Sequence, residues 1–442
     1  MKRVLVLGAG LVTRPHVRYL LNIPDFHVTV ASRTVSKAKA LVEGRANGTA
    51  VELDAEDQTR LRELIAGSDL AVSLLPYVYH PTVARHCIEL KKTMVTTSYV
   101  SDAMQQLDGE ARKAGVLILN EVGVDPGTDH MSAMKVIDRV RKDDGVVVGF
   151  RSYCGGLPAP EANTNPLGYK FSWSPRGVIL AGKNPARWRE NGKEMYVPGE
   201  ELFDHHWMVQ IEGFGELEGY PNRNSLPYAE IYGIPKAETI FRGTLRYVGW
   251  CESLSRIVKA GWLSEEPIDL SNFTFKELTA KLLGVPAEDV RKEAIRRLDM
   301  KEDSHAFKSF EWLGLFSDEP LPLTRGSALD VIVARMQDKM RYAEGERDML
   351  IMQHEFTAEY PDHRAVITSS LIDYGIPHGD TSMSRTVGLP AAIAVRMILQ
   401  DQVRLAGVHR PIIPELYEPI LAELEELGIR FTERIETVTP AS

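Results

Sequence analysis

The first 125 residues constrain the fold most, because short β-branched runs alternate there with amphipathic stretches. That alternation specifies parallel strands joined by crossover helices. Strands are predicted at 2–7, 27–31, 49–52, 70–75, 93–96 and 116–120, with helical repeats at 35–41 and 58–64. A doubly wound sheet of this kind binds ligands at the carboxyl ends of its strands. The turn Gly8-Ala9-Gly10-Leu11-Val12-Thr13 follows the first strand and precedes the helix-compatible Val17–Leu21 stretch, which is the context a phosphate-binding turn requires. Gly8 permits the tight turn and Gly10 lets a pyrophosphate approach the backbone, at a helix N-terminus that offers unpaired N–H groups. Thr13 stands where the motif usually has its third glycine.

At the end of the second strand an NAD enzyme places an acidic side chain against the ribose hydroxyls, but this chain has Ser32-Arg33-Thr34. A guanidinium there suits a 2′-phosphate through paired charge-assisted bonds, so NADP is expected over NAD. The alternative for Arg33 is a solvated surface side chain.

With 442 residues, 44% hydrophobic and 26% charged, the chain exceeds one ordinary domain, and two or three are expected. No apolar run reaches the ~18 residues of a membrane helix, and the net charge of −9 argues against general nucleic-acid binding. Cys87, Cys154 and Cys251 lie far apart without metal-type spacing, which suits a reducing compartment and predicts no metal. A cytoplasmic location is expected. Region 146–269 is richer in glycine, proline and aromatics and reads as a mixed α/β domain, with strands at 146–153 and 238–247. Within it, 153–177 is so dense in glycine, proline and polar groups that a substrate-facing loop is predicted rather than a buried element. From 273 to 313 the period is helical and opens with Thr274 and Glu277 spaced as a capping box. A strand is expected at 349–356 and helices at 390–398 and 414–427.

Several motifs together resemble the saccharopine reductases, the NADP-dependent, L-glutamate-forming saccharopine dehydrogenases. They are the Gly8-Ala9-Gly10 turn, Thr96-Thr97-Ser98-Tyr99-Val100-Ser101, Glu121-Val122-Gly123-Val124-Asp125-Pro126, Tyr153-Cys154-Gly155-Gly156, Tyr220-Pro221-Asn222-Arg223 and Arg242-Gly243-Thr244-Leu245-Arg246. The resemblance implies a homodimer of α/β class. Its expected parts are a Rossmann-like parallel-sheet NADP domain at 1–125 completed by 387–442, a mixed α/β substrate-binding and dimerisation domain at 126–269 and 326–386, and an all-helical insertion at 270–325. It implies cofactor contacts from Gly8, Gly10, Leu11, Val12, Ser32, Arg33, Thr34, Asp54, Ala55, Leu75, Thr97, Ser98, Val124, Asp125, Pro126 and Ser174. Ser98, Tyr99, Asp125, Arg223, Thr244, Leu245 and Arg246 are its substrate-contacting positions, with both arginines expected to clamp carboxylates.

The implied reaction joins L-glutamate to L-2-aminoadipate 6-semialdehyde through an imine reduced to saccharopine, in lysine biosynthesis or degradation. Loss of water and proton transfer at nitrogen require an acid/base group. Asp125, Tyr99 and Cys154 can exchange protons, and their ordinary pKa values of roughly 3.9, 10 and 8.5 differ widely. Asp125 is the favoured donor, with Cys154 in positioning or relay. Two other readings stay open: a carboxyalkyl-polyamine dehydrogenase, against which the arginines argue, and a catalytically silent NADP-binding sensor.

Overall fold

The structure, a computed structural model, describes residues 1–438 and comprises two compact units. One is Met1–Asp144 with Gly379–Thr432, and the other is Gly145–His378 with the described residues from Glu433 onward. Residues 439–442, the end of the segment expected to complete the first domain, lie outside the described residues.

The first unit is built on β1 (Lys2–Leu7), β2 (Phe26–Ser32), β3 (Gly48–Glu52), β4 (Leu70–Ser73), β5 (Thr93–Thr96), β6 (Leu117–Leu119) and a late strand, Gly407–His409. These pair in parallel in the order Gly407–His409, β6, β5, β4, β1, β2, β3. Val4, Leu5, Val6 and Leu7 are all buried, as a central parallel strand covered by helices on both faces requires. The strand order reverses between β1 and β4, which opens a crevice at their carboxyl ends. Helix α1 (Thr13–Leu21) follows β1, and the Ser382–Leu399 helix packs beside it at Gly388, where a Cβ would meet the Val12 carbonyl oxygen at 2.9 Å.

The Thr128–Lys142 helix also belongs to this unit. Its Asp138 accepts a hydrogen bond from the Tyr417 hydroxyl at 2.8 Å, on the Pro414–Glu426 helix. The unit therefore ends at Asp144 rather than at 125, and the chain re-enters it at Gly379 rather than at 387.

The second unit carries a mixed nine-stranded sheet. Its path runs Trp207–Ile211, Gly215–Pro221, Thr239–Arg246, Val146–Pro158, Asp348–Glu359, Arg364–Tyr374 and Thr432–Val438, with Ala186–Glu190 and Lys193–Val197 joined at one side. The stretch predicted as a loop from residue 153 is corrected here. Tyr153 to Pro158 continue a buried central strand, and Tyr153 and Leu157 lie in the core. Gly155 marks close strand approach rather than exposure, since a Cβ there would lie 2.6 Å from the Leu245 carbonyl oxygen and 2.8 Å from its Cβ.

Between 270 and 325 the chain forms the helices Phe275–Leu283, Val290–Arg297 and His305–Leu313. The capping box forms as its spacing predicts: the Glu277 amide donates to Thr274 Oγ1 at 3.2 Å, and the Thr274 amide donates to the Glu277 carboxylate at 2.8 Å. Phe275, Phe310 and Trp262 share one core with Tyr153 and Leu157 of the sheet. Two charges of the turn 344–347 are paired within the fold. Buried Lys170 donates to both Glu346 carboxylate oxygens and Arg347 pairs with Glu161, where this turn feeds a strand that is buried from Asp348 to His354.

Replacing Gly155 with alanine should lower stability by about 1–3 kcal/mol through the forced shift of two core strands. Gly109→Ala, on a helix with open space at its Cβ position, should be neutral or slightly stabilising. Thermal midpoints of the two variants measure this contrast, and equal midpoints would count against close strand approach as the role of Gly155.

Candidate active site

Most of the expected cofactor positions converge on the carboxyl edge of the first unit's sheet. Gly8 to Val12 follow β1, Ser32 to Thr34 end β2, Asp54 and Ala55 follow β3, and Leu75 follows β4. Gly8 has a φ of 111° and its Cβ position lies 2.8 Å from the Leu74 carbonyl oxygen, so only glycine fits there without strain. Gly10 faces open space within 4 Å, as a turn that admits a ligand must. The Thr13 hydroxyl oxygen accepts from the Gly10 amide at 3.1 Å and thereby closes the turn that a third glycine would otherwise complete. Arg33 is exposed, and among the described residues no carboxylate pairs with it. Apolar side chains also stand out at this edge. Leu11 is 68% exposed and Tyr77, after β4, 72% exposed. Tyr77 carried no sequence motif.

Thr97, Ser98 and Tyr99 follow β5, and Val124, Asp125 and Pro126 follow β6, which places both loops side by side. The Tyr99 hydroxyl donates to Asp125 Oδ1 at 3.0 Å. Tyrosine and carboxylate thus form one hydrogen-bonded pair able to hand a proton to a ligand and take it back. Behind the pair, buried Glu121 accepts from the Val100 amide at 2.8 Å, Arg410 Nε at 2.8 Å and His130 Nε2 at 2.7 Å. Burial would push its carboxyl up, but the His130 bond and charge, with Arg410 and the Val100 amide, outweigh burial and hold it down to about 2. His130 is therefore a buried helix-start partner rather than a ligand-facing group.

A second buried network is centred on His80, which matches no motif, and nothing in the sequence links it to Thr96 and Ser98 of the 96–101 motif. His80 Nδ1 meets Ser73 Oγ at 2.9 Å, and its Nε2 meets Ser98 Oγ at 2.8 Å and Thr96 Oγ1 at 3.3 Å. Burial pushes His80 down to about 4, so a neutral imidazole orients the Ser98 hydroxyl at the end of β5.

The second unit holds the other expected residues. Cys154 pairs in register with Thr244, which pairs with Tyr220, so three adjacent strands present these side chains in one row. Leu245 is fully buried in the core. Arg246 is 5% exposed, its guanidinium 4.8 Å from the Tyr169 ring and 5.3 Å from the Trp250 ring. One terminal nitrogen donates to the Leu245 carbonyl at 2.7 Å while Nε has no partner, and among the described residues no carboxylate pairs with it. The buried guanidinium therefore keeps donor capacity that no carboxylate uses. Arg223 lies instead in an exposed turn, in the left-handed region at φ 54°. Ser174 caps the short Pro175–Ala181 helix of this unit by accepting from the Gly177 amide at 3.3 Å. Among the described residues no three His, Cys, Asp or Glu side chains group as metal ligands, and no helix is long and apolar enough to cross a membrane.

A family model described as the saccharopine dehydrogenase NADP binding domain matches residues 4–119, and one described as the saccharopine dehydrogenase C-terminal domain matches 123–429. Saccharopine dehydrogenase [NADP(+), L-glutamate-forming] from Schizosaccharomyces pombe is 41% identical over 98% of this chain and 99% of its own length. The protein of the same name from Saccharomyces cerevisiae is 40% identical over the same shares. Bovine mitochondrial alpha-aminoadipic semialdehyde synthase is 40% identical over 98% of this chain, which spans 47% of that longer protein. The apo structure of histidine-tagged saccharopine dehydrogenase (L-Glu forming) from Saccharomyces cerevisiae superposes with a TM-score of 0.90 at 39% identity, covering 99% of this chain and 100% of that one.

Burial also makes the site region pH-sensitive. His80 and His16, the latter donating toward the Gly388 carbonyl at 3.1 Å, are both pushed from 6.5 down to about 4. The folded chain thus binds fewer protons than the unfolded chain between these values, and the stability conferred by the neutral rings is complete above pH 6.5 and lost as pH falls toward 4. Each ring contributes at most about 3 kcal/mol to that loss. In urea unfolding at stepped pH, His80→Gln should reduce the slope of stability against pH in this window by about half; an unchanged slope would show that His80 is not one of the titrating groups.

Proposed function

The chain belongs to the saccharopine dehydrogenase family, and from that premise we propose how its residues carry the reaction. It is an NADP(H)-dependent oxidoreductase of the L-glutamate-forming type. In one direction L-glutamate and L-2-aminoadipate 6-semialdehyde condense with loss of water, and reduction of the resulting imine yields saccharopine; the other direction reverses these steps. The observation that carries the residue assignment is the Tyr99–Asp125 hydrogen bond of 3.0 Å at the carboxyl edge of a dinucleotide-type sheet.

The open space at Gly10 and the exposed, unpaired Arg33 fit a pyrophosphate and a ribose 2′-phosphate, and exposed Leu11 and Tyr77 give apolar surface beside them. NADPH supplies the hydride that reduces the imine carbon. Asp125 and Tyr99 handle protons: one is given to the departing carbinolamine hydroxyl, and one keeps the imine nitrogen cationic and attractive to hydride. Cys154, in register with Thr244, lines the substrate wall in a positioning role. Saccharopine carries three carboxylates, and the unpaired guanidinium of Arg246 takes one of them, with Arg223 serving a second from its turn. A polycationic substrate is disfavoured by the same uncompensated positive charge.

The homodimer expected for the family is carried forward, and exposed Tyr196, Met195 and Met208 on strands of the second unit offer apolar surface for it. A reducing, cytoplasmic compartment suits the three free cysteines, of which Cys87 and Cys251 are buried thiols raised by burial.

Purified protein with saccharopine and NADP should form reduced nicotinamide together with glutamate. Tyr99→Phe and Asp125→Asn should each lower kcat by about 10²–10⁴-fold. Cofactor binding without turnover in the unmodified protein would favour a silent sensor.

Arg246→Met should raise the saccharopine KM by about 30-fold or more with little change in the NADP KM, as loss of a charge-assisted bond requires. Equal effects on both KM values would remove Arg246 from the carboxylate role.

A further inference from the structure

Glu121 is a buried carboxylate to which the chemistry assigns no proton step. It is 2% exposed and has a left-handed backbone at φ 59°, a conformation unfavourable for a non-glycine residue. Desolvating its charge costs more unless every lone pair is used. Its bonds explain why it is held there. Oε1 accepts from Val100 N and Arg410 Nε at 2.8 Å each, Oε2 accepts from His130 Nε2 at 2.7 Å, and its own amide donates to the Ser98 carbonyl at 3.1 Å. Asp129 lies 3.6 Å from the far side of the His130 ring and adds a further carboxylate beside the cluster.

Of these partners, Val100, Ser98 and His130 lie on the two segments that carry the acid/base pair, and Arg410 does not. Val100 directly follows Tyr99, and His130 lies in the first turn of the helix that follows Asp125-Pro126-Gly127. We propose that Glu121 is a positioning residue that sets the register between the Tyr99 hydroxyl and the Asp125 carboxylate by tying the loop after β5 to the start of the Thr128–Lys142 helix. This rests on the acid/base reading of Tyr99 and Asp125. Arg410 supplies charge balance from the Gly407–His409 side of the sheet and touches neither segment through this bond, so loss of Arg410 and loss of Glu121 separate stability from positioning.

The experiment compares Glu121→Gln with Arg410→Met in the full chain with saccharopine and NADP. A glutamine keeps the shape, but one end of its amide is a donor, so it cannot accept from Val100, Arg410 and His130 together. Glu121→Gln should lower kcat by about 10–100-fold with both KM values within a few-fold of the unmodified protein. Amide hydrogen exchange in the peptide containing Val100 should accelerate. Arg410→Met should lower the thermal midpoint at least as far yet leave kcat within a few-fold.

Unchanged kcat in Glu121→Gln, or kcat losses that track the midpoint losses in both variants, would overturn the proposal. Should Glu121→Gln not fold, Glu121→Asp keeps the charge and shortens its reach by one methylene; kcat must fall there while the midpoint stays close, and an unchanged kcat overturns the positioning role. Unchanged kcat in Tyr99→Phe and Asp125→Asn would overturn the acid/base reading and, with it, the role of Glu121. Losses in that pair with none in the Glu121 variants would overturn the positioning role alone.

Discussion

Burial of a parallel sheet on both faces governs the first unit. Helices cover β1, β4, β5 and β6, the buried side chains along them are apolar, and polar chemistry is left with the strand ends. Because the strand order reverses between β1 and β4, those ends diverge at one place and leave room for a ligand. Gly8, Arg33, Ser98, Tyr99 and Asp125 are remote in sequence and share one edge for that reason. The sheet also sets the cost of what lies beneath the edge. Ser73, His80 and Glu121 are desolvated, and each is kept by hydrogen bonds that leave a neighbouring loop little freedom.

The second unit solves a different problem, since its mixed sheet must bring Val146–Pro158 and Thr239–Arg246 close enough to bury both. Glycine at 155 does this by removing the atom that would otherwise strike Leu245. The same close pairing sets Cys154 beside Thr244 and carries Arg246 into the core at the end of its strand. The aromatic rings of Tyr169 and Trp250 accept the guanidinium on their faces without neutralising it.

Much of this was legible in the sequence, for identifiable reasons. Strands β1 to β6 are apolar runs bounded by turn residues, so the sequence pattern locates them, whereas the three-residue strand Gly407–His409 is too short to show one; the Thr274–Glu277 capping box is a local pattern that needs no tertiary information. The 153–158 segment misleads because glycine marks exposed turns and close strand contacts alike, and only the partner strand decides which. Thr128–Lys142 and Gly379 onward were assigned to a different domain because helix membership depends on which core the apolar face meets, which amphipathicity does not encode. The pairing of His80 with Ser73 and Ser98 follows no recognised motif spacing, so it carries no sequence signal.

The buried cations of the second unit show how structure and function separate within one chemistry. Lys170 lies against Glu346, and Arg335 binds both oxygens of Glu319 while donating to the Leu313 carbonyl, so each repays its desolvation inside the fold. Arg246 has no such carboxylate and keeps Nε unpartnered. Its desolvation is offset only in part by two aromatic faces and one carbonyl, so the folded chain holds a charge whose best partner is absent. A substrate carboxylate that reaches it recovers interaction energy already committed during folding, in surroundings where the guanidinium has little rotamer freedom left to lose. The carboxylate role proposed for Arg246 would follow from leaving one buried charge unbalanced, whereas balancing it internally would have made Arg246 as inert as Lys170.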